Sequence, residues 1–281
     1  MKNHMLTAKQ IAAYKKYLRG EERAAATVEK YCRDILAFAA WLEERPVTKE
    51  TVAQWKEQLL EDSFSPATVN TKLSAINNLL RFLGWEECRV KFVKVQKRAF
   101  RDASRDLNRG EYQRLLEAAQ TLGKKWLELL LETICATGIR VSEVKYITVE
   151  AAKNGRTDVS LKGKVRTILL PAKLCRKLLK YAGKKKTVSG EIFLSKNGTS
   201  LSRLQIWREM KRICKAADVE PSKVFPHNLR HLFATTFYRV TKDIAKLADV
   251  LGHSSINTTR IYLLSTDAEH VRCLEQLELV S

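Results

Sequence analysis

The chain has 281 residues, carries 51 Lys+Arg against 31 Asp+Glu for a formal net charge of +20, and is 45% apolar. That apolar share and length are enough for two domains with real cores, which excludes a disordered basic tail. The charge makes a polyanion the first partner to consider, nucleic acid ahead of a membrane surface. No uninterrupted apolar run reaches the roughly 18 residues of a membrane span, and MKNHMLTAKQ does not read as a secretion signal, so a cytoplasmic protein without membrane attachment is expected.

In chain order, the first part reads as helices only. TAKQIAAYKKYLRG stops at Gly20, and TVEKYCRDILAFAAWLEER follows with Thr27 as cap and Tyr31, Ile35, Phe38 and Leu42 at helical spacing. TKETVAQWKEQLLED and SPATVNTKLSAINNLLRFLG complete the set, the last with Ser65 as N-cap, Pro66 in the first turn and Gly84 as stop. Near Arg89 the periodicity fades into a Lys/Arg-rich stretch, either a clamp around a polyanion or a solvated connector. The organisation expected is a helical domain over 1–88, a basic linker over 89–106 and a second domain over 107–281. In that second domain NRGEYQRLLEAAQ and KKWLELLLETICATG read as helices, and TDVSLKGKVRTILLP alternates as a β-hairpin. Helices resume at AKLCRKLLKYAG, SRLQIWREMKRICKAAD, PHNLRHLFATTFYRV and TKDIAKLADVLG. The fold class is mainly α with a small β-sheet.

Six cysteines, at 32, 88, 135, 175, 214 and 273, include no CxxC pair. They read as reduced thiols, not as a zinc ribbon.

Polar residues gather where helices stop or start. In CATGIRVSE, Gly138 ends a helix, Ser142 can cap the next, and Arg140 lies in the turn between them; an arginine alone is usually a surface cation. In PHNLRH, His227, Arg230 and His231 fall at i, i+3 and i+4, on one helix face. Two histidines at i, i+4 also suit a zinc site of the HExxH kind, but Asn228 holds the second position and no glutamate base is present. In LGHSSINTTRIY, one continuous helix would put His253 and Tyr262 on opposite faces. Gly252 should end the preceding helix, with Ser254 or Ser255 capping the next, so both rings can enter one cleft. Taken alone, Tyr262 reads first as a core aromatic.

Together these residues form a phosphate-handling set. A planar guanidinium grips two nonbridging oxygens, and two of them can neutralise a phosphorane. A tyrosine, with a free pKa of about 10, needs cations or a base to attack at neutral pH. A lysine or histidine can protonate the leaving oxygen, worth roughly 10²–10⁴ in rate. No carboxylate cluster of the kind that holds Mg²⁺ lies beside them, so phosphoryl transfer without metal or cofactor is expected.

At these residues the chain resembles the tyrosine recombinase family, also called the phage integrase family, over essentially its whole length. ATGIRVSEV is similar to the family's first arginine box, HNLRHLFAT to its HxxRH box and LGHSSINTTRIY to its LGH…Tyr box, in the expected order. The amino-terminal helices resemble the core-binding, SAM-like domain. The resemblance implies a two-domain clamp on duplex DNA carrying a specific recombination site. Arg140 and Arg230 would hold the scissile phosphate, His227 would serve acid/base transfer, and His253 would bond the phosphate or support its neighbours. Tyr262 would attack phosphorus to leave a 3′-phosphotyrosine and a free 5′-hydroxyl. Lys162 is favoured over Lys164 as the hairpin general acid, although LKGKVRTILLP fits the family's spacing loosely. His231 and Glu143 would play supporting roles, Glu143 by orienting a basic neighbour.

Val271, Leu274 and Leu277 give the tail an apolar face that could pack on its own domain; the resemblance implies instead that it docks into a neighbouring protomer of a tetramer on DNA, the free protein being a monomer or dimer. No additional arm-binding domain is expected ahead of residue 1. Integration or excision of a mobile element is the leading expectation, with Xer-like chromosome-dimer resolution or DNA inversion beside it. A non-catalytic DNA-binding relative, a type IB topoisomerase and an RNA-binding helical protein explain fewer of these residues.

Overall fold

The computed structural model of the chain describes residues 4–95, 103–161, 164–263, 271 and 275–277, and falls into two compact units, Met1–Lys97 and Arg98–Ser281. In the first unit, α1 (Ala8–Gly20), α2 (Ala25–Leu42), α3 (Lys49–Glu61) and α4 (Pro66–Phe82) pack around one core. Thr7, Thr48 and Ser65 each accept a hydrogen bond from the backbone N–H three residues on, at Gln10, Thr51 and Thr68, which satisfies a donor the helix cannot use. Thr27 does not cap α2. The turn after α1 folds back onto that helix, with Arg23 N–H donating to the Leu18 carbonyl, so the chain re-enters helix at Ala25 behind an Ala24 that has no side chain to cap with.

Ile35, Phe38 and Leu42 of α2 are buried against Leu73, Ile76 and Leu80 of α4, with Tyr14, Leu18 and Trp55 closing the core; each such side chain contributes about 1.5–3 kcal/mol. The start of the basic stretch is held to this unit. Asn70 exchanges hydrogen bonds with the backbone of Val93, and Asn77 with that of Val90. Residues 96–102 of the stretch lie outside the described residues.

The second unit is built around α6 (Lys125–Thr137), whose Leu127, Leu130, Leu131 and Ile134 are fully buried. Neighbours pack on several of its sides: α5 (Arg109–Thr121), α8 (Ala172–Lys184) and α10 (Pro226–Thr241). A helix surrounded in this way is apolar over most of its circumference, as KWLELLLETICAT is. α9 (Arg203–Ala217), started by Ser202, packs on α5. A short α7 (Val149–Asn154), absent from the sequence reading, begins at Thr148, whose hydroxyl accepts from Ala151 N–H; six residues are too few to show a helical period.

After α7 the chain forms β1 (Arg156–Leu161) and β2 (Lys164–Leu169), an antiparallel pair with Val159 opposite Arg166 and Leu161 opposite Lys164. Val159 and Ile168 face the core, and Val165 and Leu169 face solvent, as the two-residue period of a half-buried sheet requires. The fold is mainly α with one small hairpin. Among the described residues Cys32, Cys88, Cys135, Cys175 and Cys214 are free thiols, and no helix is long and apolar enough to cross a membrane. In the tail Val271 and Leu277 are exposed, and Leu274 lies outside the described residues.

Candidate active site

Three chain breaks in the second unit bring the polar residues together. The first follows α6, where Gly138 takes the left-handed conformation at φ +63. A Cβ there would meet the Phe233 ring at 2.4 Å, so conformation and space both demand glycine. This places Arg140 directly ahead of a 3₁₀ helix, Val141–Tyr146. Glu143, not Ser142, satisfies that start. Its carboxylate reaches back to accept from Arg140 N–H at 2.7 Å, because in so tight a helix the third residue stands over the first free donor. The same carboxylate, 1% exposed, accepts from Arg140 Nη1 and from Arg166 Nη1, each at 2.9 Å.

The second break opens α10, with Pro226 in the first turn. Asn228 is buried and donates to the carbonyls of Arg105 and Lys223 at 2.7 Å, which anchors the helix start. His227 stays exposed, while Arg230 and His231 are buried. Arg230 Nη1 donates to the Gly138 carbonyl and Nη2 to the Leu251 carbonyl, the latter at 2.8 Å. Both carbonyls belong to helix C-terminal ends, whose partial negative charge suits a cation. Burial, then Arg140 and Arg166, depress the guanidinium to about 10, and the nearby Tyr262 phenol partly offsets them. Arg230 is therefore fully charged at neutral pH.

The third break separates α11 (Ile244–Leu251) from α12 (Ile256–Arg260) at Gly252, φ +64. Tyr262 follows in a 3₁₀ turn, Ile261–Leu263. His253 Nε2 lies 3.0 Å from Arg230 Nη2, and its Nδ1 lies 2.8 Å from Thr259 Oγ1. A guanidinium can only donate, so Nε2 is the acceptor and Nδ1–H donates to Thr259. The ring is thus neutral, which agrees with a pKa lowered to about 4, first by burial and then by Arg230, Arg140, Arg166 and His227.

Tyr262 is 6% exposed and packs with Ala234, Leu247 and Leu251, so it is partly the core aromatic its surroundings permit. Its ring also stacks on His253 at 5.8 Å with 8° between planes, and meets His227 at 5.6 Å and His231 at 5.3 Å. The break at Gly252 makes this possible. Tyr262, Arg140, His227 and Arg230 line one cavity of about 690 Å³.

Six of the nine singled-out residues, Arg140, Glu143, His227, Arg230, His253 and Tyr262, are thus joined to one another by hydrogen bonds, ring contacts or the cavity wall, and His231 backs the Tyr262 ring. Lys162 lies outside the described residues, and Lys164 opens β2 opposite Leu161. The sequence reading passed over Arg166, and over Arg203 and Trp207 of α9, which line the cavity; in sequence these two are ordinary exposed positions of an amphipathic helix. Among the described residues one trio of metal-ligand type, His4, Glu87 and Cys88, draws its ligand atoms within 4.8 Å. It lies in the first unit, not in this cavity.

Residues 105–269 match the family profile described as "Phage integrase family", and residues 11–87 match "Phage integrase, N-terminal SAM-like domain". The chain is 30% identical over 273 residues to tyrosine recombinase XerD of Bifidobacterium longum, covering 86% of this chain and 88% of that protein. It is 27% identical to tyrosine recombinase XerA of Pyrococcus furiosus, covering 97% and 94%. In fold it is similar to a lambda integrase tetramer bound to a Holliday junction, with TM-score 0.75 at 20% identity, covering 93% of this chain and 78% of that one. The XerH recombinase bound to its difH substrate gives TM-score 0.70, also at 20% identity, over 95% and 84%.

Proposed function

The chain belongs to the phage integrase family of tyrosine recombinases, and from that premise we propose that it cuts and rejoins duplex DNA at a specific site through a 3′-phosphotyrosine. One observation carries this reading: Tyr262, though almost buried, lines the same cavity as Arg140 and Arg230.

Chemically, the Tyr262 oxygen bonds to phosphorus as the bond from phosphorus to the 5′-oxygen breaks, leaving a phosphotyrosine on the 3′ side and a free 5′-hydroxyl. Arg140, with 40% of its side chain exposed, offers an open guanidinium edge to the nonbridging oxygens. Arg230 supplies the second from the cavity floor. His227, the exposed histidine beside Tyr262, takes the phenolic proton, and Lys162 returns one to the leaving oxygen. His253, neutral and bonded to Arg230, keeps that guanidinium aimed. The phosphodiester's energy is kept in the covalent intermediate, so a 5′-hydroxyl from a partner duplex reverses the step without ATP.

The substrate is duplex DNA, drawn by the +20 charge, and exchange between two duplexes calls for a tetramer of a chain that is monomeric or dimeric when free. Integration or excision of a mobile element is the leading use; Xer-like dimer resolution, to which the names of the relatives lend weight, stands beside it. Plasmids carrying one or two copies of the chain's own flanking sequence separate the two.

The direct test is Tyr262→Phe on a nicked suicide duplex built from those flanks. Binding is unchanged and the covalent adduct on a denaturing gel disappears. An undiminished adduct removes Tyr262 from the nucleophile's role.

A further inference from the structure

Arg166 has no place in the chemistry above, yet its surroundings are as constrained as those of Arg230. It pairs with Val159 in the hairpin, and since cross-strand partners share a face, it points inward with the buried Val159. Its side chain is 9% exposed. Nη1 donates to Glu143 Oε2, while Nε and Nη2 are buried without a hydrogen-bond partner among the described residues. Glu143 Oε1 meanwhile holds Arg140 Nη1, so one carboxylate joins a guanidinium on the hairpin to a guanidinium on the cavity wall.

The other side of Arg166 is closed by the turn that carries His253. A Cβ on Gly252 would lie 2.3 Å from Arg166 Cδ and 3.2 Å from Nε, so the arginine stem fits beneath the turn only because position 252 is glycine. The flanking Leu251 carbonyl and His253 ring are what hold Arg230. Burial pushes the Arg166 guanidinium below its ordinary range and Arg140 adds to this, against the pull of Glu143. A planar fork bonding along one edge and packing along the other does what a lysine's point charge cannot.

We propose that Arg166 is a positioning residue for strand cleavage: bridged by Glu143 to Arg140 and seated under Gly252, it locks the β1–β2 hairpin to both turns and sets the angle at which Arg140 meets the scissile phosphate. The inference rests on the reading of Arg140 as a phosphate holder.

The test measures single-turnover adduct formation on the duplex cleaved in the Tyr262 assay, made with three scissile linkages. One is the natural phosphodiester. The second is a methylphosphonate, whose methyl group replaces a nonbridging oxygen and removes the charge that Arg140 offsets. The third has sulfur in place of the 5′ leaving oxygen and needs no proton donor. Arg166→Met keeps the bulk of the stem, Arg166→Lys keeps the charge, and Arg140→Ala is the reference. Ratios between substrates within one preparation are unaffected by any unfolded fraction.

Arg166→Met is expected to lose on the order of 10²-fold on the phosphodiester, the usual effect of a misplaced group. It should lose far less on the methylphosphonate, in parallel with Arg140→Ala, with Arg166→Lys between it and wild type. Equal losses of Arg166→Met on the phosphodiester and methylphosphonate, with Arg140→Ala rescued, make Arg166 a brace of the fold and overturn the proposal alone. Full recovery on the sulfur substrate places its action on the leaving group and overturns it too. Equal losses by Arg140→Ala overturn the reading of Arg140 and the proposal together.

Discussion

Gly138→Ala isolates the packing that holds the two helix ends around Arg230. At φ +63 any residue with a Cβ pays a conformational cost of about 1–2 kcal/mol. The new Cβ would also stand 2.4 and 2.7 Å from two atoms of the Phe233 ring and 3.0 Å from Leu251 Cδ2, and overpacking of this kind adds about 1–3 kcal/mol. Gly123 is the control: its φ is +66, with nothing within 4 Å of an added Cβ, so Gly123→Ala carries the conformational term alone. Both glycines lie in the second unit, and urea unfolding followed by circular dichroism reads both variants from the same transition. The expected difference between them is about 1–3 kcal/mol. The Gly138 carbonyl also accepts from Arg230, so adduct formation by folded Gly138→Ala should fall by about 10²-fold while Gly123→Ala stays near wild type. Equal destabilisation by the two variants would refute the claim of tight packing at Gly138.

Two further outcomes follow from the charges. His253 has a folded pKa of about 4 against about 6.5 unfolded, so the stability it lends is complete above pH 6.5. It drains away as pH falls towards 4, because the unfolded chain takes up the proton first. Discounted for solvent screening, the loss is on the order of 1–2 kcal/mol; His253→Gln, which can still accept from Arg230, should remove that part of the slope between pH 7 and 4, and an unchanged slope counts against a buried neutral ring. DNA affinity should fall by about 10³–10⁵ between 50 and 200 mM salt if six to ten phosphates are neutralised, and a salt-insensitive titration would contradict charge-driven binding by this chain.

The parts legible in the sequence are those fixed by neighbours a few residues away. Ser65 and Pro66 start α4, Gly138 and Gly252 stop α6 and α11, and the alternation in TDVSLKGKVRTILLP gives the hairpin. His227, Arg230 and His231 share a face by helical spacing alone. The failures have local or long-range causes. Thr27 resembles a cap, but a tight turn onto α1 starts the helix three residues earlier. Ser142 is the better capping residue by type, yet Glu143 wins because a carboxylate there meets the Arg140 N–H and two guanidiniums at once. Arg166 could not be read from the sequence, since its partner Glu143 is 23 residues away and its cover is Gly252. Only the folded hairpin places it between them.

The arrangement of these charges also bears on which state of the substrate is favoured. Among the described residues Arg140 and Arg166 share one carboxylate, Glu143, and both act on Arg230 beside Tyr262, so the three guanidiniums exceed that carboxylate by two charges. Arg230 is held by two carbonyls and a neutral imidazole, which orient it without cancelling its charge. A bound phosphodiester brings one negative charge, whereas the five-coordinate state of the transfer approaches two, so the surplus matches the transition state better than the ground state. The arrangement also needs His253 to stay unprotonated. A third charge there would stand against Arg230 and swing its donors away from the two helix ends, so the depressed pKa of His253 serves the orientation of Arg230 as much as the stability of the fold.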